Sequence, residues 1–309
     1  MLIDDLQLVL KVAEFKSIKR AADSLDISVA VASASVKRVE KEYGVELFVR
    51  STRKLRVSAA GEKYLPEIAQ ALLILQQIGQ RAKESMNIID GELRISLPSD
   101  LGRNIMLPWL DELVEAHPNL SLRLHFSDHN VDFYREPVDI ALRYGAPKDS
   151  SMYGFKICDV PRVLCASSSY LARYGTPQRP QDLAQHNALL YQLRDVIHDV
   201  WDFSKDNLAT KVKMHGNRST NDAEIVRRWC VAGYGVAAKS SLDMSTDLLE
   251  GRVESLMQDY MPMATELWLI CPSRQLITPA VRLLREHLTQ KCQQLLLSLA
   301  QSGHIGQWR

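Results

Sequence analysis

Two groups of residues carry types and spacings that could do chemistry. The first is Ser28, Val29, Ala30, Ser33, Ala34, Lys37 and Arg38, followed by Arg50, Arg53 and Lys54. Hydroxyl, ammonium and guanidinium groups at this density, set on one helix face and a hairpin tip, contact phosphates and base edges. From Lys16 to Arg56, ten Lys/Arg stand against five Asp/Glu, although the whole chain carries only +1. A polyanion partner is therefore expected for the N-terminal part alone. The second group is Ser99, Asp100 and Leu101, then Ser127 and Arg143, then Ser219, Thr220 and Asn221. These follow strand patterns, and two of the clusters open helices. A helix start presents unpaired N–H groups and partial positive charge, so an anionic ligand is favoured there. Asn221 and Glu224 have capping-box spacing, and Arg143 could pair with a ligand carboxylate or with Asp139.

Other chemistries lack their residues. No phosphate-binding Gly-rich loop, no GxSxG turn and no paired catalytic constellation is present, so no enzyme and no cofactor are expected. The eight histidines lack HxH and HExxH spacing, and the five cysteines form no CxxC pair, so no metal is indicated. Cys230 is expected to be a buried structural thiol, because no second cysteine is near it in the chain. There is no apolar run of about 18 residues and no basic leader before an apolar stretch, and the cysteines are scattered. A cytoplasmic protein is expected.

Three helical patterns precede the basic hairpin. Residues 3–14 put Leu6, Val9, Leu10 and Ala13 on one face, with Asp4 and Asp5 at the start. Ser17–Leu25 reads as a short helix burying Ile18, Ala21, Ala22 and Leu25, with the paired alanines permitting a close crossing. After the turn Asp26-Ile27, Ser28 caps a helix to about Tyr43, with Val36 and Val39 inward. Residues 47–57 read as two strands about a basic tip, giving the outline of a winged helix-turn-helix. Residues 59–86 read as one long helix. Its stripe Leu65, Ile68, Leu72, Leu75, Gly79, Ala82 and Met86 has coiled-coil spacing, which predicts dimerisation, and Pro66 interrupts the early turns. Residues 87–91 read as a hinge. Beyond it, strands at 93–97, 120–127, 138–143, 163–166 and 265–271 alternate with helices, including one over 279–290. That alternation predicts a mostly parallel sheet.

The N-terminal text resembles the DNA-binding domain of the LysR-type transcriptional regulators. The matching residues are Ala21-Ala22-x-x-Leu25-x-Ile27-Ser28, Ser33, Val36 to Glu40, Gly44-Val45-x-Leu47-Phe48-x-Arg50, Thr52 to Leu55, and Ala60-Gly61. Asp26 replaces the family's usual turn glycine. Val29 and Ala30 replace its usual polar residues, and Ala34 a common arginine. Apolar contact with thymine methyls and readout of DNA shape are the substitutes left open. Gly91 to Ile95, Asp139 to Arg143 and Gly233 to Ala237 resemble the effector-binding domain of the same family, of periplasmic-binding-protein architecture. The resemblance implies an α/β chain with a winged helix-turn-helix at 1–60, a linker helix and hinge at 61–90, and a two-lobed effector domain at 91–291. Lobe I holds 91–162 and 267–291, and lobe II 163–266; 292–309 is the C-terminal tail, with 301–309 expected to be mobile. The function implied is sequence-specific transcriptional regulation by a homodimer or homotetramer under a small ligand between the lobes. RNA polymerase is a candidate partner, and a ligand-independent DNA-architectural protein is the rival reading.

Overall fold

The computed structural model describes residues 3–50, 55–84, 89–129, 131–133, 138–147, 149, 152–193, 196–206 and 208–306, with backbone alone at 50, 73, 76–84 and 261. The chain divides into two units, Met1–Ile88 and Ile89–Arg309.

The first unit begins with α1 (Ile3–Phe15), α2 (Ile18–Ser24) and α3 (Val29–Tyr43). Ser17 caps α2 and Ser28 caps α3, each hydroxyl oxygen accepting from a backbone N–H three residues on, at 3.3 Å. Asp26 turns the chain between them at φ +52°, the left-handed conformation for which the short polar side chain substitutes for glycine. Gly44 ends α3 at φ +68°. Ala21, Ala22, Ala32, Val36 and Val39 are fully buried, whereas Leu25, expected inside, is 38% exposed. Leu25 closes α2 with φ −112°, already off the helix that would have carried it inward.

β1 (Phe48–Arg50) and β2 (Leu55–Val57) pair antiparallel as the wing. Arg53, Lys54 and the side chain of Arg50 lie outside the described residues. α4 (Ala59–Glu84) runs on through Pro66. Gly61 is required at its start, since a Cβ there would stand 2.3 Å from the carbonyl oxygen of Leu47. Leu65, Ile68 and Leu72 pack into this unit's own core with Val9, Val36 and Phe48. Only from Leu75, 43% exposed, does the stripe leave that core. At Gly79 and Ala82 the helix backbone alone is described, and Met86 and the hinge residues Asn87 and Ile88 lie outside the described residues.

In the second unit, strands Leu120–Phe126, Gly91–Leu97, Ile140–Tyr144, Thr265–Cys271 and Tyr153–Val160 form one sheet in that order. The first three are parallel, but Thr265–Cys271 runs antiparallel to both neighbours. The expected mostly parallel sheet is thus a mixed one. Tyr153–Val160 carries the chain out of this sheet and Thr265–Cys271 brings it back, so the two lie side by side in opposite directions. Strands between Arg162 and Pro262 form three further three-stranded sheets. Those at Leu189–Leu193, Val200–Lys205 and Leu208–Lys213 were not anticipated. Their alternation is blurred by exposed apolar residues such as Val200 and Leu208.

After the first strand the chain is helical from Ser99 to Ala116, with a π-helical segment at Gly102–Met106. Gly102 fits because a Cβ would press within 2.8 Å of Leu97 and 2.9 Å of Phe126. The last helix, Pro279–Gln301, runs well past the predicted end. Its apolar stripe continues through Cys292, Leu296 and Leu299, all fully buried, and Ile305 beyond it is buried too. The expected mobile tail is therefore packed as far as Ile305.

Candidate functional site

In the first unit, hydrophobic spacing turns Ala32, Ser35, Val36 and Val39 of α3 inward. The opposite surface carries Ser28, Val29, Ala30, Ala34 and Lys37, all exposed, with Ser33 half-buried at its edge. Val31 and Lys41, not anticipated, are exposed as well. Arg38, also exposed on α3, is in addition tied to α1. Its Nη2 and Nε donate to the Asp5 carboxylate at 2.6 and 3.2 Å, and Nη2 also donates to Ser35 Oγ at 2.7 Å. Asp5 is 4% exposed on α1, so this guanidinium braces α3 against α1. Glu40 Oε1 accepts from the backbone N–H of Leu47 and of Phe48, at 2.9 and 3.1 Å, fixing the wing to α3. These ties hold one helix face and one hairpin in a set relation, as insertion into a groove requires.

The second unit encloses a cavity of about 500 Å³. Of the sequence-predicted residues, Asp100, Leu101 and Arg143 line it. Ser99, Ser127, Ser219, Thr220 and Asn221 are not among its lining residues. Ser219 and Asn221 are exposed. The N-cap of helix Ala223–Val231 is Asp222 rather than Asn221, its Oδ1 accepting from Glu224 N at 2.8 Å. Strand Arg218–Thr220 carries the chain one residue further than the capping-box spacing implied.

Asp128 was missed and is central. Its Oδ1 accepts from Ser99 N at 2.7 Å, and its Oδ2 accepts from Ser99 Oγ and from Ala223 N, both at 2.7 Å. A carboxylate of the chain itself therefore holds both helix starts where a ligand anion was expected. No sequence pattern announces a single Asp after a strand as a partner for two remote amides.

Lys239, Asp243, Tyr144 and Tyr191 also line the cavity. Lys239 is 6% exposed. Its ammonium group pairs with Asp100, donates to Ala223 O at 2.8 Å and stands 3.4 Å from Asp243. Burial alone would lower its pKa, but the two carboxylates outweigh that and raise it, so Lys239 stays charged. Tyr144 donates to Asp243 at 2.6 Å and shares a hydrogen bond with Ser240 at 2.7 Å. Burial also raises the pKa of Tyr191. Arg143 Nη1 donates to Leu142 O and Nη2 to Ser96 Oγ, both at 2.7 Å. Asp139, the alternative partner, is held by Arg94 at 2.6 and 3.0 Å.

Burial pushes Asp100 up to about 6, against the pull of Lys239 and with the repulsion of Asp243. The folded chain thus binds more protons here than the unfolded one, whose Asp titrates near 3.9. This group's contribution to stability is full below about pH 4 and is lost as pH rises through about 6. Asp100→Asn mimics the protonated form. It is expected to match wild type near pH 4 and to exceed it by roughly 1–3 kcal/mol above pH 7. Urea unfolding across pH 4–8 tests this, and a constant difference would contradict it.

Cys230 is fully buried as expected, but Cys165 Sγ lies 3.9 Å from its sulfur. The fold supplies the neighbour that linear spacing did not show. Contact with Cys230 and burial push the Cys165 thiol well above its usual range, so Cys165 stays a protonated thiol. Among the described residues, no helix is long and apolar enough to cross a membrane.

Residues 3–62 match the family model "Bacterial regulatory helix-turn-helix protein, lysR family", and residues 88–293 match "LysR substrate binding domain". The Escherichia coli regulator DmlR is 31% identical over 292 residues, 94% of each chain. The E. coli activator AaeR is 30% identical over 81% of each. In structure, the chain resembles full-length AphB, a virulence activator of Vibrio cholerae, with TM-score 0.56 and 23% identity over 94% of this chain and 99% of that one. It also resembles CrgA of Neisseria meningitidis, with TM-score 0.58 and 24% identity over 96% and 98%. With both domain models matched in order along nearly its full length, this chain belongs to the LysR family of DNA-binding transcriptional regulators and carries that family's substrate-binding domain.

Proposed function

We propose that the protein regulates transcription by placing α3 of paired copies in the major grooves of a two-part operator, under control of a small ligand in the 500 Å³ cavity. The reading heads are Ser28, Val29, Ala30, Ser33, Ala34 and Lys37, with Arg50, Arg53 and Lys54 on the wing against the backbone. Arg38 supports the head through Asp5. Dimers or tetramers form through the α4 segment, since two-fold proteins suit paired half-sites. The boundaries of this working division are 1–60, 61–90 and 91–291, with lobes at 91–162 plus 267–291 and at 163–266. The protein works in the cytoplasm, with RNA polymerase as a further partner.

The ligand is a small anion. What supports this is Arg143 and Arg162 on the cavity wall, where Lys239 is already balanced by Asp100 and Asp243, and Asp128 holds the helix starts. Ligand must favour one arrangement of the two lobes to act at a distance. Ser99, Asp100, Leu101, Ser127, Ser219, Thr220 and Asn221 remain the proposed frame around it, those off the cavity wall acting through backbone placement.

A second reading, ligand-independent regulation, is favoured by Asp128, which already satisfies the amides a ligand would use. A thermal-shift screen of small mono- and dicarboxylates on the full chain separates the two. A binder at 100 times its Kd raises stability by about 2.7 kcal/mol and should alter the operator footprint. Flat responses throughout would favour the second reading.

A further inference from the structure

The first two turns of α3 present an unusual surface for a reading head. Val29 is 44% exposed and Val31 50% exposed. Ala30 and Ala34, four residues apart and hence stacked on one face, are exposed between them. Among the described residues, the core of α3 lies on the opposite side at Ala32, Val36 and Val39.

The polar groups nearby are committed or set back. Ser28 Oγ accepts from Val31 N, and Ser33 is half-buried. Arg38 is held by Asp5 and Ser35. Lys37 and Lys41 stand further along the helix. In a helix-turn-helix it is the start of the second helix that meets base edges. Bidentate reading of adenine or guanine takes an amide, guanidinium or ammonium side chain, and these turns carry none. The one apolar feature on the major-groove edge of the standard bases is the thymine C5-methyl group. The excess of ten cations over five acids from Lys16 to Arg56 suits a duplex as the occupant of this face.

We infer that Val29, Ala30 and Ala34, flanked by Val31, read the operator by enclosing thymine methyl groups. This rests on the DNA reading of α3 given above and adds the base feature recognised. Backbone contacts from the wing and the lysines then supply affinity without sequence information.

The test uses the full chain and a duplex selected from a random library for tight binding. Each thymine is replaced in turn by deoxyuridine, which keeps the base pair and removes only the methyl. A buried methyl is worth about fourfold in affinity. Weakening of roughly three- to tenfold is expected at one or more thymines in each half-site. In Val29→Ser, and in Val29→Thr as a near-isosteric second variant, the difference between thymine and uracil should shrink toward unity at the position it contacts. Affinities within twofold at every substituted thymine overturn the inference while leaving DNA binding intact. So would a thymine effect that persists unchanged in every variant of the patch, Ala30→Gly included. Failure to select any duplex would sink the DNA reading and this inference with it.

Discussion

Lys239→Met is expected to destabilise the C-terminal unit by roughly 3–5 kcal/mol. Lys239 is 6% exposed, Asp100 0% and Asp243 6%. Its ammonium group is the cation facing both carboxylates, and it also donates to the carbonyl of Ala223 at 2.8 Å. Methionine fills nearly the same volume, so the loss measures charge rather than a cavity. Without the ammonium group Asp100, already pushed up to about 6, takes up a proton at neutral pH, and the cost is that proton uptake together with leaving Asp243 buried without its cation. Asp100→Asn in the same background removes one of the two carboxylates and should restore part of the loss, a coupling that a double-mutant cycle in urea reads directly. A change below about 1 kcal/mol in the single variant would mean that the pair is solvated. The position has functional weight as well. Lys239, on strand Ala237–Ser240, joins that strand to the helix start at Asp100 across the cavity wall, so any ligand seated there meets this network.

Ala34→Glu is expected to weaken operator binding about a hundredfold or more without unfolding the head. Ala34 is exposed in the second turn of α3, one turn beyond Ala30, and is not a member of the head's apolar core. Glutamate is also a good helix former. On a duplex, however, its carboxylate would enter a groove flanked by phosphates, and such like-charge juxtaposition costs several kcal/mol. Glu at an exposed position away from the interface serves as the control for net charge.

How much of this could be read from residues alone differs by region. The helix-turn-helix was legible because its signals are local. Ser17, Ser28 and Gly44 cap where their types predict, and Asp26 adopts the left-handed turn. The role of Arg38 was not legible, since its partner Asp5 is 33 positions away and looked like an ordinary acidic helix start. The stripe on α4 was read as a seam, but periodicity does not say which surface covers it, and Leu65, Ile68 and Leu72 turn toward their own core. In the second unit, strands with buried runs such as Ile140–Tyr144 stood out. Half-exposed strands such as Leu208–Lys213 did not. The first helix start and the strand ends were located well enough to reach Asp100, Leu101 and Arg143. Asp128, Lys239 and Asp243 escaped because only tertiary folding brings them to the same cavity.

The central claim is that the outward face of α3 is the surface that reads DNA. It is tested most directly by fluorescence anisotropy of one selected duplex with the full-length wild type and with Ala34→Glu, at graded salt. Wild type should lose affinity with increasing salt at a slope of about −0.9 per phosphate contact. Ala34→Glu should bind about a hundredfold more weakly at low salt, with the gap narrowing as salt screens the repulsion and the melting temperature unchanged. Equal affinities for the two folded proteins at low salt would place the reading surface elsewhere and contradict the account.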